Sequence, residues 1–272
     1  MIACVVFRGP PGALTDMKWL VVYLLLALAV YIGLCLLLYS RQDRLLYFPS
    51  AESNHPGVTA LRIVSGDAVL KVWCIHADAS AALLYFGGNA EDVAANLHDF
   101  DTAFADRAVY LVNYRSYGGS TGTPSEAALI ADAQAVYDAL RLRHPRVAVM
   151  GRSLGSGVAT ALAATRPVEK LILATPYDSI ADVAADHFRW FPVRWLIKDR
   201  FDSTRRMKHL RAPVLVIIAG RDEVIFRPRS DALAAVIPPP LRRVLLIREA
   251  THNDIGLYPA YLQGTRDFLS HP

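Results

Sequence analysis

The stretch that decides the fold is "VAVMGRSLGSGVATALAA", Val147–Ala164. Val147, Ala148, Val149 and Met150 read as a short buried strand, and Ser153 to Ala164 as a helix poor in bulky side chains. Gly-Arg-Ser-Leu-Gly lies at the corner between them. A serine at such a strand–turn–helix corner sits at strained backbone angles, with its hydroxyl raised above the sheet edge. Gly151 and Gly155 are required because a β-carbon at either position would strike the neighbouring strand or helix. This is the nucleophile elbow, G-x-S-x-G, and Ser153 is the candidate nucleophile.

The string also occurs as Gly118-Gly119-Ser120-Thr121-Gly122. There it runs into Thr123-Pro124-Ser125-Glu126, which reads as a helix start with Thr123 as cap and Glu126 closing a capping box. Ser120 therefore belongs to a glycine-rich loop.

An activated serine needs a base, and the base needs an orienting acid. Downstream, "VLVIIAGRDEVI" carries Asp222 three residues past an apolar strand, and "VLLIREATHND" carries His252 five residues past the next. The order Ser, Asp, His is the one this elbow requires. Asp178 in "TPYDSI" is the alternative acid. Two backbone amides must hold the oxyanion. Leu154, directly after the nucleophile, supplies one. The loop "LLYFGGNAEDV" supplies the other, for which the Asn89 amide is the candidate, Gly87-Gly88 letting the backbone turn inward.

Around these motifs, apolar runs alternate with helical patterns, the order of a mostly parallel sheet with helices on both faces. Strands are expected at 69–76, 81–86, 108–113, 171–174, 214–219 and 244–247. Helices are expected at 91–104, 125–142 and 258–269.

The first residues differ in kind. Trp19–Tyr39 is an uncharged span bracketed by Lys18 and by Arg41 and Arg44. As a helix it rises about 30 Å, the thickness of a bilayer core. An apolar run of this length exceeds that of the usual signal peptide, which favours an uncleaved anchor over a cleaved signal. Arg8 and Lys18 balance Arg41 and Arg44, so the flanks set no orientation. The expected organisation is an N-terminal segment 1–18, a transmembrane anchor 19–39 and a catalytic domain 45–272. Met17-Lys18 also has the form of a start. The net charge of +4, without a long basic run in the first half, gives no sign of nucleic-acid binding. The three cysteines, Cys4, Cys35 and Cys74, form neither a disulfide framework nor a metal spacing, so no metal is expected. Cys35 follows Leu34 rather than the small residue of a lipidation box and reads as a membrane-facing apolar cysteine.

The chain resembles the α/β-hydrolase superfamily across residues 45–270. The matching stretches are "DRLLYFP", "YFGGNAED", "NYRSYGGSTGTPSE", "MGRSLGSGVA", "GRDEVI" and "THND". It is similar in particular to membrane-anchored serine hydrolases that include protein depalmitoylases and lysophospholipid lipases, departing from them at Gly87, where relatives often carry His. The resemblance implies an α/β-hydrolase fold with a small cap and cofactor-free hydrolysis of an ester or thioester. The nearest alternatives are a small peptidase or amidase with the same triad, and a non-catalytic binding protein of the same fold.

Residues 176 to about 211 are expected to form the cap. From Arg189 to Arg211 eight Lys or Arg stand against Asp199 and Asp202, among Trp190, Phe191, Trp195, Leu196 and Ile197. Aromatic and basic residues together suit an anionic membrane surface.

Overall fold

The computed structural model describes residues 13–271, which divide into two compact units at Gln42/Asp43. In the first unit, the uncharged span lies in helix α1 (Ala13–Leu46). Large apolar side chains from Trp19 to Tyr39 are exposed along it. Among the described residues it is the one helix long and apolar enough to cross a membrane. Most of the expected segment 1–18, with Cys4 and Arg8, lies outside the described residues.

The second unit opens with a hairpin, β1 (Thr59–Ser65) and β2 (Ala68–Ile75), followed by β3 (Ala81–Phe86), α2 (Leu97–Ala103) and β4 (Arg107–Val112). Then come α3 (Glu126–Arg141), the elbow strand β5 (Arg146–Arg152), α4 (Leu154–Ala163) and β6 (Leu171–Ala174). The insertion holds three short helices, α5 (Ile180–His187), α6 (Val193–Leu196) and α7 (Ser203–Met207). The chain closes with β7 (Val214–Ala219), α8 (Arg227–Val236), β8 (Arg242–Ile247) and α9 (Pro259–Ser270).

The strands form one eight-stranded sheet in the order β1-β2-β4-β3-β5-β6-β7-β8. From β4 to β8 in that order the strands run parallel, and the first hairpin joins at one edge through antiparallel pairings, so that β2 alone runs against the rest. Side chains alternate between the faces, so each face has its own core. Leu84, Phe86 and Val149 pack with Val136 and Val158 of α3 and α4. Leu83, Tyr85 and Met150 pack with Phe100 of α2 and Phe268 of α9. The winding reverses between β3 and β5, because β4 is laid on one side of β3 and β5 on the other. The loops leaving such neighbours diverge and open a crevice at the carboxyl ends of the strands.

Several expectations are corrected. The helix over 91–104 is split into a 3-10 turn at Val93–Asn96 and α2, with Asp92 capping the turn through the Ala94 amide. Helix α3 is capped by Ser125, which accepts from the Ala128 amide, and not by Thr123. Glu126 closes no capping box: its carboxylate reaches the insertion, accepting from the Arg200 and Phe201 amides and from Arg206. Strand β1 and helix α8 stand beyond the elements expected from the sequence.

Candidate active site

Strand β5 delivers Ser153 at the crevice with φ 51° and ψ −118°, in the left-handed half of the map that a residue with a side chain avoids. The neighbours hold it there. Its amide donates to the Ala174 carbonyl at the end of β6, at 2.9 Å. A β-carbon on Gly151 would overlap the Gly155 carbonyl, and one on Gly155 would overlap the Phe86 carbonyl. The glycines thus let α4 start directly against β3, where only backbone fits.

Asp222 follows β7. Its Oδ1 accepts the amides of Val224 at 3.0 Å and Ile225 at 2.7 Å, which fixes the carboxylate. His252 follows β8. Its Nδ1 lies 3.0 and 2.9 Å from the two Asp222 oxygens, and its Nε2 lies 2.9 Å from Ser153 Oγ. Both side chains are buried. A carboxylate already accepting two amides can only accept again, so Nδ1 carries the proton and Nε2 keeps its lone pair toward the hydroxyl.

Asp178 is placed elsewhere. It takes the Ser179 amide at 2.7 Å and the Arg229 guanidinium at 3.0 Å, and Arg229 also grips Asp186 at the foot of the insertion. Burial raises its carboxyl above the ordinary range, against the lowering by Ser179 and Arg229. Ser120 is buried in its loop, donating to the Asn113 carbonyl and accepting the Lys71 amide.

The amide of Leu154 opens α4 and has no intrahelical carbonyl to bond. The loop after β3 adjoins Ser153 closely: a β-carbon on Gly88 would lie 3.6 Å from Ser153 Cβ. Gly88's own amide is engaged by Glu91 Oε2 at 2.6 Å. The Asn89 side chain is a clamp, with Oδ1 accepting from the Phe48 amide at 2.9 Å and the Tyr117 hydroxyl at 2.7 Å. Its Nδ2 donates to the Leu46 carbonyl at 2.7 Å. The loop that carries Gly87 in place of a larger residue is therefore pinned through Asn89.

Two residues escaped the sequence reading, Glu91 and Arg152, which form a part-buried ion pair at 3.1 Å beside these loops. In the sequence Glu91 reads only as a helix start and Arg152 only as the variable position of the elbow. Burial and the Glu91 carboxylate raise the Tyr85 phenol well above its ordinary value, keeping it a donor to Glu91 Oε1 at 2.7 Å. Among the described residues no group of three or more His, Cys, Asp or Glu side chains is placed to hold a metal ion.

Comparison with known proteins gives a consistent result. The model of the "Alpha/beta hydrolase family" matches residues 75–270. An uncharacterized protein of Mycobacterium tuberculosis is 35% identical over 261 residues, covering 88% of this chain and 90% of that protein. Protein bem46 of Schizosaccharomyces pombe is 31% identical over 224 residues, covering 76% of this chain and 73% of its own. Among solved structures, an esterase from Pyrococcus furiosus superposes with a TM-score of 0.67 at 16% identity, covering 82% of this chain and 98% of the esterase.

Proposed function

Because the chain belongs to the alpha/beta hydrolase family, we propose that it is a serine hydrolase cleaving carboxylic ester or thioester bonds through an acyl-enzyme. The observation that carries this reading is the unbroken contact from Asp222 through His252 to Ser153 Oγ. As Ser153 Oγ attacks the acyl carbonyl, His252 Nε2 takes its proton, and Asp222 stabilises the imidazolium that forms. The developing oxyanion is met by the Leu154 amide and the Asn89 amide, roughly 3–4 kcal/mol per donor in comparable sites. His252 then protonates the departing alkoxide or thiolate. Water, deprotonated by the same histidine, releases the acyl group. Every proton is carried by the protein's own groups, so the cycle calls for no cofactor.

Lipid-like esters or S-acyl groups are the favoured substrates. In the cap, Trp190 is 87% and Trp195 89% exposed, flanked by Arg189, Arg194 and Lys198. Broad apolar surfaces at solvent beside cations suit an acyl chain entering from an anionic lipid surface. The cap's interior is different: Val193, Phe201 and Met207 are buried, which holds the segment down on the domain. A panel of an S-acylated peptide, a lysophospholipid, a short p-nitrophenyl ester and a peptide anilide tests the assignment. Turnover of the first two above the third, with little on the anilide, is expected. Preference for the anilide would replace the proposal with a peptidase.

We also propose that α1 is an uncleaved membrane anchor, on the strength of its length, its uncharged span and the exposed side chains along it. The protein is expected to remain with membranes in alkaline carbonate, whereas a form beginning near Arg44 is released. Mature protein that begins near residue 40 would identify a cleaved signal instead.

A further inference from the structure

In the sheet, β6 and β7 separate β8 from β5, so the loop bearing His252 must reach back across two strands to meet Ser153. The opposite wall of the crevice, after β3, must stay against the same serine. Past the strand ends each loop is held by bonds of its own, the histidine loop by the Arg221 amide on the Ala250 carbonyl and the loop after β3 by the Asn89 side chain. One ion pair spans the gap. Arg152, next to the nucleophile in the chain, donates from Nη2 to the carbonyls of His252 at 3.1 Å and Asn253 at 3.4 Å. Its Nη1 donates to Glu91 Oε2 at 3.1 Å. That same oxygen accepts the Gly88 amide at 2.6 Å, while Glu91 Oε1 accepts from Tyr85 and Asn96.

We infer that Glu91 and Arg152 are positioning residues that lock the histidine loop and the oxyanion loop in register with Ser153. The inference rests on the serine-hydrolase reading above. The pair touches no reacting atom; it acts through the backbone of Gly88 and of His252. Stability alone does not account for it. Arg152 Nε is buried without a partner among the described residues, and a part-buried ion pair with an unmet donor is a poor stabiliser compared with an apolar replacement. Its geometry instead serves three segments at once. The planar guanidinium, with its fork of donors, contacts a carboxylate on one side and a carbonyl on the other, which a lysine ammonium in the same place does not span.

The experiment follows inactivation of the full-length protein in detergent micelles by a fluorophosphonate, whose phosphoryl oxygen occupies the oxyanion position. It separates the maximal rate, kinact, from the half-saturating concentration, KI, and reads the final labelling stoichiometry. Glu91→Gln and Arg152→Gln are each expected to lower kinact by roughly 10–100-fold, the scale of a small misplacement of reacting groups. KI should stay within about threefold and the endpoint near one label per chain. The double variant should be no slower than the worse single variant, because the two residues act as one unit. Arg152→Lys, which keeps the charge, should fall between wild type and Arg152→Gln.

Unchanged kinact per labelled site, with only a lower melting temperature or a smaller labelled fraction, overturns the inference and leaves the pair structural. Multiplying losses in the double variant overturn it as well. If either glutamine variant fails to fold, the Arg152→Lys protein carries the test, and wild-type kinact there refutes positioning. Failure of the underlying reading looks different: labelling would then survive loss of Ser153 itself.

Discussion

The Ser153→Ala protein is expected to lose fluorophosphonate labelling altogether and to retain about 10⁻⁴ to 10⁻⁶ of wild-type hydrolytic rate, the range seen when a nucleophile acting in a triad is removed. The expectation rests on the 2.9 Å approach of His252 Nε2 to Ser153 Oγ: without the hydroxyl the base has nothing to deprotonate. Ser120→Ala is the matched control. Ser120 has a G-x-S-x-G string of its own, yet its hydroxyl is spent on the Asn113 carbonyl and the Lys71 amide. Its loss should cost some stability and leave labelling intact. Undiminished labelling of the Ser153→Ala protein would remove Ser153 from the mechanism.

Asp222→Asn should be nearly as severe, with kcat falling about 10⁴-fold while the fold persists. An amide at this position offers an N–H to Nδ1. The imidazole then protonates Nε2 and presents a donor, not an acceptor, to Ser153. The two amides that clamp Oδ1, from Val224 and Ile225, keep the side chain in place, so the loss appears in rate and not in folding. Asp178→Asn separates the two readings of the acid. It weakens the link to Arg229 at the foot of the insertion and should lower the melting temperature with kcat near wild type. Comparable losses of kcat in both variants would place the orienting acid elsewhere.

What was legible in the sequence shares a cause: local backbone chemistry. Ser153 is announced by two glycines that no other residue can replace. Asp222 and His252 each follow an apolar run by a fixed short distance, so strand ends locate them. Helix α3 was also legible, but its cap was not. Thr123 and Ser125 are both good caps, and the choice fell to Ser125 once Glu126 was drawn away by the Arg200 and Phe201 amides, more than seventy residues along the chain. Strand β1, "TALRIVS", alternates weakly and is half exposed at the sheet edge, which leaves little hydrophobic signal. In α8, "RPRSDALAAV", Pro228 marks the first turn but polar residues dilute the apolar stripe. Glu91 and Arg152 are sixty-one residues apart and meet only because β3 and β5 are neighbours. No window of sequence contains that pairing.

The backbone at Ser153 sets stability against activity at a single residue. A side chain held at φ 51° and ψ −118° costs on the order of 1–3 kcal/mol, a substantial share of the 5–15 kcal/mol that keeps a typical domain folded. Glycine accepts those angles freely. One substitution, Ser153→Gly, would therefore relax the corner and, on the proposed mechanism, delete the nucleophile together. A lineage drifting under demand for a durable fold alone would be drawn toward that change, and under the proposed function a serine at this corner is what continued demand for turnover would leave behind.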